Sequence, residues 1–361
     1  MKKTLLLLTS LLAAQLSFAQ GNNKQLALAK GTEAVRLEDE EGKYDEAIAL
    51  FAEAQKLDPD NIDYYYETAY AYQGKKEHAK AVEILEKLLN HKDVNGRVYQ
   101  ALGNNYDYLG KADKAIQTYE KGLKKFPAAG ELYLELGNMK LAKQKLEDAL
   151  NYYEQGIEKA PQFPSNYYWA ARLYCNSSEE VWGMLYGEIF MNLERSTKRT
   201  AEISKLLFDT YKSEIKLNSD TLGSVSFSKY ATITLDDLKD PKGIRLPFGI
   251  SCYEPLMIVS ILGARQIDIN SLADIRSRFL DAYFSGKNFE KYPNALFNYQ
   301  QTVQKAGHFD AYSHWLLMKG DEYGFTTWKS ANKSKWEAFM KWFPDNKMPV
   351  TKANRFYRAQ Y

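Results

Sequence analysis

His308 and His314, with Asp310 between them and Glu254 upstream, come closest in this chain to a catalytic or metal-binding set. A hydrolytic centre needs a general base held by a carboxylate, and a zinc centre needs imidazoles that converge on one point. Helical geometry works against the zinc reading. At about 100° per residue, positions six apart lie about 120° apart around the axis, whereas zinc helices space their histidines four apart. Beside Phe309, Tyr312 and Trp315, the same histidines read as hydrogen-bonding members of an aromatic core. The chain carries no GxSxG elbow, HExxH pair, phosphate-cradling glycine loop or dinucleotide fingerprint, so neither a metal nor a cofactor is expected. Cys175 and Cys252 lack CxxC spacing and read either as one long-range disulfide or as two buried thiols.

The elements that must position these residues are helices. Ser271 and Asp274 form a capping pattern ahead of Ile275, Phe279, Leu280 and Tyr283 at helical spacing. Phe309, Tyr312, Trp315 and Leu316 make a second stripe, and Trp336, Phe339, Met340 and Phe343 a third; aromatic stripes of this kind are core, because they bury the largest area per residue. Upstream, from Asn218 to Ile250, the period changes. Val225, Phe227, Ala231, Ile233 and Leu235 alternate with polar residues as a half-buried strand or hairpin does, and Asp240, Pro241 and Gly243 mark a turn. Asp220, Thr221 and Leu222 match a loose O-glycosylation pattern.

The N-terminal half is organised differently, by a step of 34 residues. Tyr65, Tyr99, Tyr133 and Tyr167 keep it, and so do Ala47, Ala81, Ala115 and Ala149. In the same phase stand small residues (Ala69, Gly103, Gly137, Ala171) and bulky ones (Phe51, Leu85, Tyr119, Tyr153). Pro59, Pro127 and Pro161 close three of the units, while Asp93 replaces proline in another. This pattern resembles the tetratricopeptide-repeat (TPR) family, whose units are helix hairpins with an aromatic near the start, small residues where the two helices touch, and a closing proline.

The resemblance implies an all-α fold: a right-handed TPR α-solenoid, then a short β or irregular linker, then a C-terminal helical module. We place the repeats at 20–163. A degenerate unit, in which Gly183 replaces the alanine, and a capping helix pair occupy 164–217. Within that segment Ser177 to Glu180 form a capping pattern ahead of Val181, Met184, Leu185, Ile189 and Leu193, and a second helix runs from about Thr200 to Lys216. The linker spans 218–250 and the C-terminal module 251–361. That module resembles C-terminal regions of secreted TPR proteins.

Lys2, Lys3, the apolar run from Leu5 to Leu16 and the small Ala19 read as a signal peptide over 1–19, cleaved after Ala19, which implies a periplasmic or secreted protein. No cysteine follows the cut, as the lipoprotein route would require, and no later stretch is long and apolar enough to span a bilayer. With the signal removed, 46 basic residues face 46 acidic ones, a balance that does not suit a nucleic-acid partner.

Peptide-binding TPR proteins line a groove with particular positions of the first helix of each hairpin. Carried onto this chain, those positions are Tyr66, Tyr70, Arg97, Gln100, Asn104, Tyr108, Asn138, Tyr168 and Arg172. Aromatic faces with Asn and Arg donors suit an extended peptide. The carboxylate-clamp subtype is not matched, since Gln100 and Leu134 stand where it has lysine. The expected function is thus a non-catalytic scaffold for a protein or peptide partner. The alternatives are a hydrolase-like enzyme with its site in the C-terminal module, or a glycan-binding accessory protein.

Overall fold

The structure, a computed structural model, describes residues 2–217, 223–228 and 247–361, with side chains from residue 21 onward. Ala231, Ile233, Leu235, the turn at Asp240, Pro241 and Gly243, and the Asp220–Leu222 motif lie outside the described residues. Among the described residues, eighteen α-helices and one two-stranded ladder make up the regular structure, apart from single π and 3-10 turns, and the fold class is all-α. No helix there is long and apolar enough to cross a membrane.

Helix α1 (Lys2–Glu41) precedes eight helices that keep the sequence period. Helices α2 (Tyr44–Leu57), α4 (His78–Leu88), α6 (Ala112–Lys125) and α8 (Leu146–Lys159) start 34 residues apart, and so do α3 (Ile62–Gly74), α5 (Gly96–Tyr108), α7 (Gly130–Ala142) and α9 (Pro164–Tyr174). The unit without a closing proline differs locally. Helix α4 stops at Leu88, and the chain turns through His91, whose Nδ1 accepts the Asp93 N–H at 3.1 Å. The chain divides into two compact units, 1–135 and 136–361, with α7 crossing the division.

In the first unit, the core of the opening hairpin joins Ala27, Ala34 and Leu37 of α1, Ala47, Phe51 and Ala54 of α2, and Tyr64 of α3. Further along, the small and bulky series are matched in size. A Cβ on Gly103 would stand 2.1 Å from Cε1 of Tyr119, so only glycine admits this tyrosine. The Tyr119 phenol then donates to Oδ1 of Asn104 at 2.6 Å. In the second unit the pattern repeats: a Cβ on Gly137 would stand 2.3 Å from Tyr153, whose phenol donates to Asn138 at 2.9 Å.

The second unit contains the remaining helices. Helix α10 (Glu180–Leu193) pairs with α9, and Gly183, where the repeat has alanine, lets the two approach: a Cβ there would meet the Cys175 backbone nitrogen and Sγ at 2.5 Å. We expected α10 and α11 (Lys198–Glu214) to cap the array. Instead every residue of α10 from Glu180 to Asn192 is buried, making it the central helix of this unit. The unit's later helices are α12 (Glu254–Ser260), α13 (Ile269–Ser285), α14 (Asn288–Lys291), α15 (Ala295–Lys305), α16 (Phe309–Leu317), α17 (Glu322–Ala331) and α18 (Lys333–Trp342).

Local boundaries shift from the sequence expectations for identifiable reasons. Lys216 is not helical but lies in β1 (Ile215–Lys216), which pairs antiparallel with β2 (Ser224–Val225). The capping box of α13 is Asp268 with Ser271, one turn earlier than Ser271 with Asp274; Asp268 accepts the Ser271 N–H at 2.8 Å, and Ser271 Oγ accepts the Asp268 N–H at 2.9 Å. Ser177 does not cap α10 but accepts the Glu179 N–H in the preceding turn, at 3.0 Å. Of the third aromatic stripe, Phe339 and Phe343 are buried whereas Met340 faces solvent.

Candidate binding groove

A recess in the first unit combines exposed aromatics with a buried carboxyl group. Five helices supply it: α1 gives Glu38 and Asp39, α2 Tyr44, α3 Tyr70, α4 His78 and α5 Tyr108, around a cavity of about 580 Å³. Tyr70 and Tyr108 remain 46% and 61% exposed, large values for aromatic rings in a helical array and a reason to look for an occupant.

The wall at Tyr108 is built, not incidental. Its ring stacks on His78 with centroids 4.7 Å apart. The His78 Nδ1–H donates to Oδ1 of Asn105 at 3.0 Å, and Asn105, fully buried, donates through Nδ2 to Gln73 Oε1 at 2.8 Å. A polar chain from α5 to α3 thereby fixes the imidazole on which Tyr108 rests. At the other end of α5, the Arg97 guanidinium lies 4.5 Å over the Tyr66 ring and 3.5 Å from the Glu67 carboxylate.

At the base of the recess stands Glu38. The residue is 5% exposed, its Oε1 has no hydrogen-bond partner, and burial, then Glu67 and Asp39, push its pKa up to about 8. Sequence reading missed it. In the acidic run from Glu38 to Glu41 it looks like one more solvated carboxylate at a helix end.

The nine residues expected to line a groove separate into groups. Tyr70 and Tyr108 line the recess, with Tyr66 and Arg97 stacked on one another. Gln100 donates to Glu135 at 2.8 Å, and the Asn104 carbonyl is occupied by Tyr119. In the second unit, the Asn138 carbonyl is likewise occupied by Tyr153. Tyr168 is a correction: it is buried, donating to Glu202 at 2.5 Å, with Arg172 donating to its phenol at 3.2 Å and lying 4.7 Å over Trp169. Such contacts hold the helices together and do not present Tyr168 to a ligand.

Two family models match this region. Residues 40–104 fit one tetratricopeptide-repeat model and residues 101–173 fit another. Residues 40–173 are tetratricopeptide repeats. No curated protein matches the chain. Solved structures similar to part of it include PilF of Pseudomonas aeruginosa, 22% identical, covering 55% of this chain and 85% of that one with a TM-score of 0.41. TTC0263, a thermophilic TPR protein of Thermus thermophilus, is 17% identical and covers 50% of this chain and 98% of its own, with a TM-score of 0.41. YrrB, a TPR protein with an unusual peptide-binding site, is 19% identical over 51% of this chain and 94% of its own, with a TM-score of 0.32.

Outside the TPR segment, the histidine constellation is assembled only in part: His314 Nδ1 lies 3.1 Å from Asp310 Oδ1, whereas His308 and Glu254 make other contacts. His314 is buried, stacks on Trp328 at 3.9 Å, and places its two ring nitrogens 2.9 Å from the Asp310 carbonyl and 3.1 Å from Asn270 Oδ1. His308 precedes α16 and lies against Trp342, while Glu254 accepts the Ser228 N–H at 2.7 Å. Among the described residues no group of three or more His, Cys, Asp and Glu is placed to hold a metal ion.

The charged centre of the second unit is a pair that sequence reading did not single out. Glu188 of α10 receives two hydrogen bonds from Arg276 of α13, at 2.8 and 2.9 Å, one from Gln300 at 2.6 Å and one from Tyr312 at 2.8 Å. Both charged side chains are only 4% exposed. Burial alone would lower the Arg276 pKa, but Glu188 and the phenol of Tyr211 hold it well above the ordinary value. With its acceptors filled, Glu188 is a structural anion. Cys175 and Cys252 are both free thiols, and burial pushes each up to about 12, far from the thiolate form.

Proposed function

We propose that this protein is a non-catalytic TPR scaffold that holds an extended segment of a partner protein in the recess between α1 and α5, in the cell envelope. The observation that carries the reading is the pair of exposed tyrosines, Tyr70 and Tyr108, on either side of a cavity large enough for several side chains. Rigid aromatic faces bind peptides at small entropic cost, and helix-hairpin arrays offer them at regular intervals. Export rests on Lys2, Lys3, the Leu5–Leu16 run and Ala19.

One experiment addresses both parts. Crosslinking and mass spectrometry of the protein recovered from the envelope fraction should find a mature N-terminus at Gln20 and a partner that is lost when Tyr70→Ala and Tyr108→Ala are combined, with helical circular dichroism unchanged. Recovery with an intact N-terminus in the cytoplasm overturns the location. A partner retained by the double variant overturns the groove.

A further inference from the structure

We infer that the recess is built for a cationic side chain, and that the partner segment enters it with a lysine or arginine that meets Glu38 between the rings of Tyr70 and Tyr108. The inference rests on the groove reading above and adds the chemistry of the occupant.

Three independent observations point the same way. The first is the unanswered acceptor. Glu38 is held out of water with Oε1 unpartnered, and the neighbouring charges that act on it, Glu67 and Asp39, are both negative. Buried carboxylates are costly unless a donor or a cation reaches them, so a fold that lines a cavity with one leaves a place that a cation from outside can fill.

The second observation is the wall. Tyr44, Tyr70 and Tyr108 present aromatic rings to the same cavity, with His78 stacked behind Tyr108. Aromatic faces attract ammonium and guanidinium groups and accept the methylene stem of either side chain, whereas an anion is repelled by the same quadrupoles.

The third is how this surface treats its own cations. Arg97 lies over Tyr66 and close to Glu67, an arginine placed between an aromatic face and a carboxylate. Glu67 is thus answered from within the chain. Lys76 also lines the cavity, at a left-handed φ of 62°, yet Glu38 Oε1 has no hydrogen-bond partner. The same combination of ring and carboxylate therefore occurs twice, once with its cation in place and once, at Glu38, without one.

The test uses the full chain and short, end-capped, otherwise neutral peptides that differ only in a central lysine, arginine, norleucine or glutamate, read by fluorescence anisotropy. The lysine and arginine peptides should bind about tenfold or more tightly than the norleucine peptide, the glutamate peptide more weakly still. Glu38→Gln should reduce the lysine-to-norleucine ratio to near unity while leaving the norleucine peptide bound as before. Asp39→Asn, a variant at the exposed neighbour, should reduce the ratio less. Equal binding of lysine and norleucine peptides, survival of the preference in Glu38→Gln, or no binding by any peptide overturns the cation site. The groove is tested separately: if the peptides bind but combined Tyr70→Ala and Tyr108→Ala makes no difference, the groove itself is wrong.

Discussion

Two glutamates, one in each compact unit, show how differently the two regions use a buried charge. Glu188 sits at the centre of the second unit with four hydrogen bonds from Arg276, Gln300 and Tyr312, so nothing remains for a ligand to satisfy. Glu38 sits in the first unit, yet one oxygen has no partner and the side chain lines an open recess. Both side chains are nearly withdrawn from solvent. What separates a structural carboxylate from a binding one is whether the fold supplies the donors, and the contrast can be broken from either side.

The largest effect should come from the closed site. Arg276→Met leaves Glu188 buried without its cation, and breaking such a pair from one side costs about 3–5 kcal/mol. Chemical denaturation should show that loss, and adding Glu188→Met should recover much of it, because two apolar side chains of similar volume need no desolvation of charge. A double variant as unstable as the single one would mean that the pair contributes through shape rather than charge.

Glu38 should make stability depend on pH. Its pKa is raised in the folded state, so between the ordinary carboxylate value of 4.5 and about 8 the folded protein binds a proton that the unfolded chain has released. Stability from this group is therefore greatest at low pH and declines as pH rises through that window. Asp39 of α1, Tyr44 of α2, Glu67 and Tyr70 of α3, Lys76, His78 of α4 and Tyr108 of α5 surround it, and subtraction of a matched variant isolates its share. Glu38→Gln should gain about 1–3 kcal/mol on the wild type between pH 5 and pH 7. A constant difference across that range would show that the Glu38 carboxylate is solvated in the folded state.

The repeats were legible in the sequence because their determinants are local and recur. Tyr65, Tyr99, Tyr133 and Tyr167 fixed a phase that α2 to α9 keep to the residue at their N-terminal ends. Of the residues expected to line a groove, Tyr70 and Tyr108 line the recess and stay exposed. Asn104 looked like a ligand donor, but its carbonyl is committed to a tyrosine fifteen residues on, while its neighbour Asn105 holds the recess wall through His78. The Glu188–Arg276 pair spans 88 residues and two helices without shared periodicity, so no pattern in the chain announces it. Glu38 could not be told from Glu40 or Glu41, because its burial comes from helices that pack over the end of α1.

The smallest predicted effect tests whether the two units, different at their centres, still obey one packing rule. Gly103 admits Tyr119 in the first unit and Gly137 admits Tyr153 in the second, while the hairpin with Ala69 carries Leu85 in place of tyrosine. If size matching is the cause, Gly103→Ala alone should cost about 1–3 kcal/mol, since the added methyl meets the ring and the ring cannot retreat without losing Asn104. Tyr119→Leu alone opens a cavity and should also destabilise. Combined, the two recreate the Ala69 and Leu85 arrangement, and the double variant should be more stable than the sum of the singles predicts, by about 1 kcal/mol or more in a double-mutant cycle. Gly137→Ala with Tyr153→Leu should give the same coupling. Additive losses in either unit would mean that the glycine answers to backbone requirements of its helix and not to the tyrosine above it.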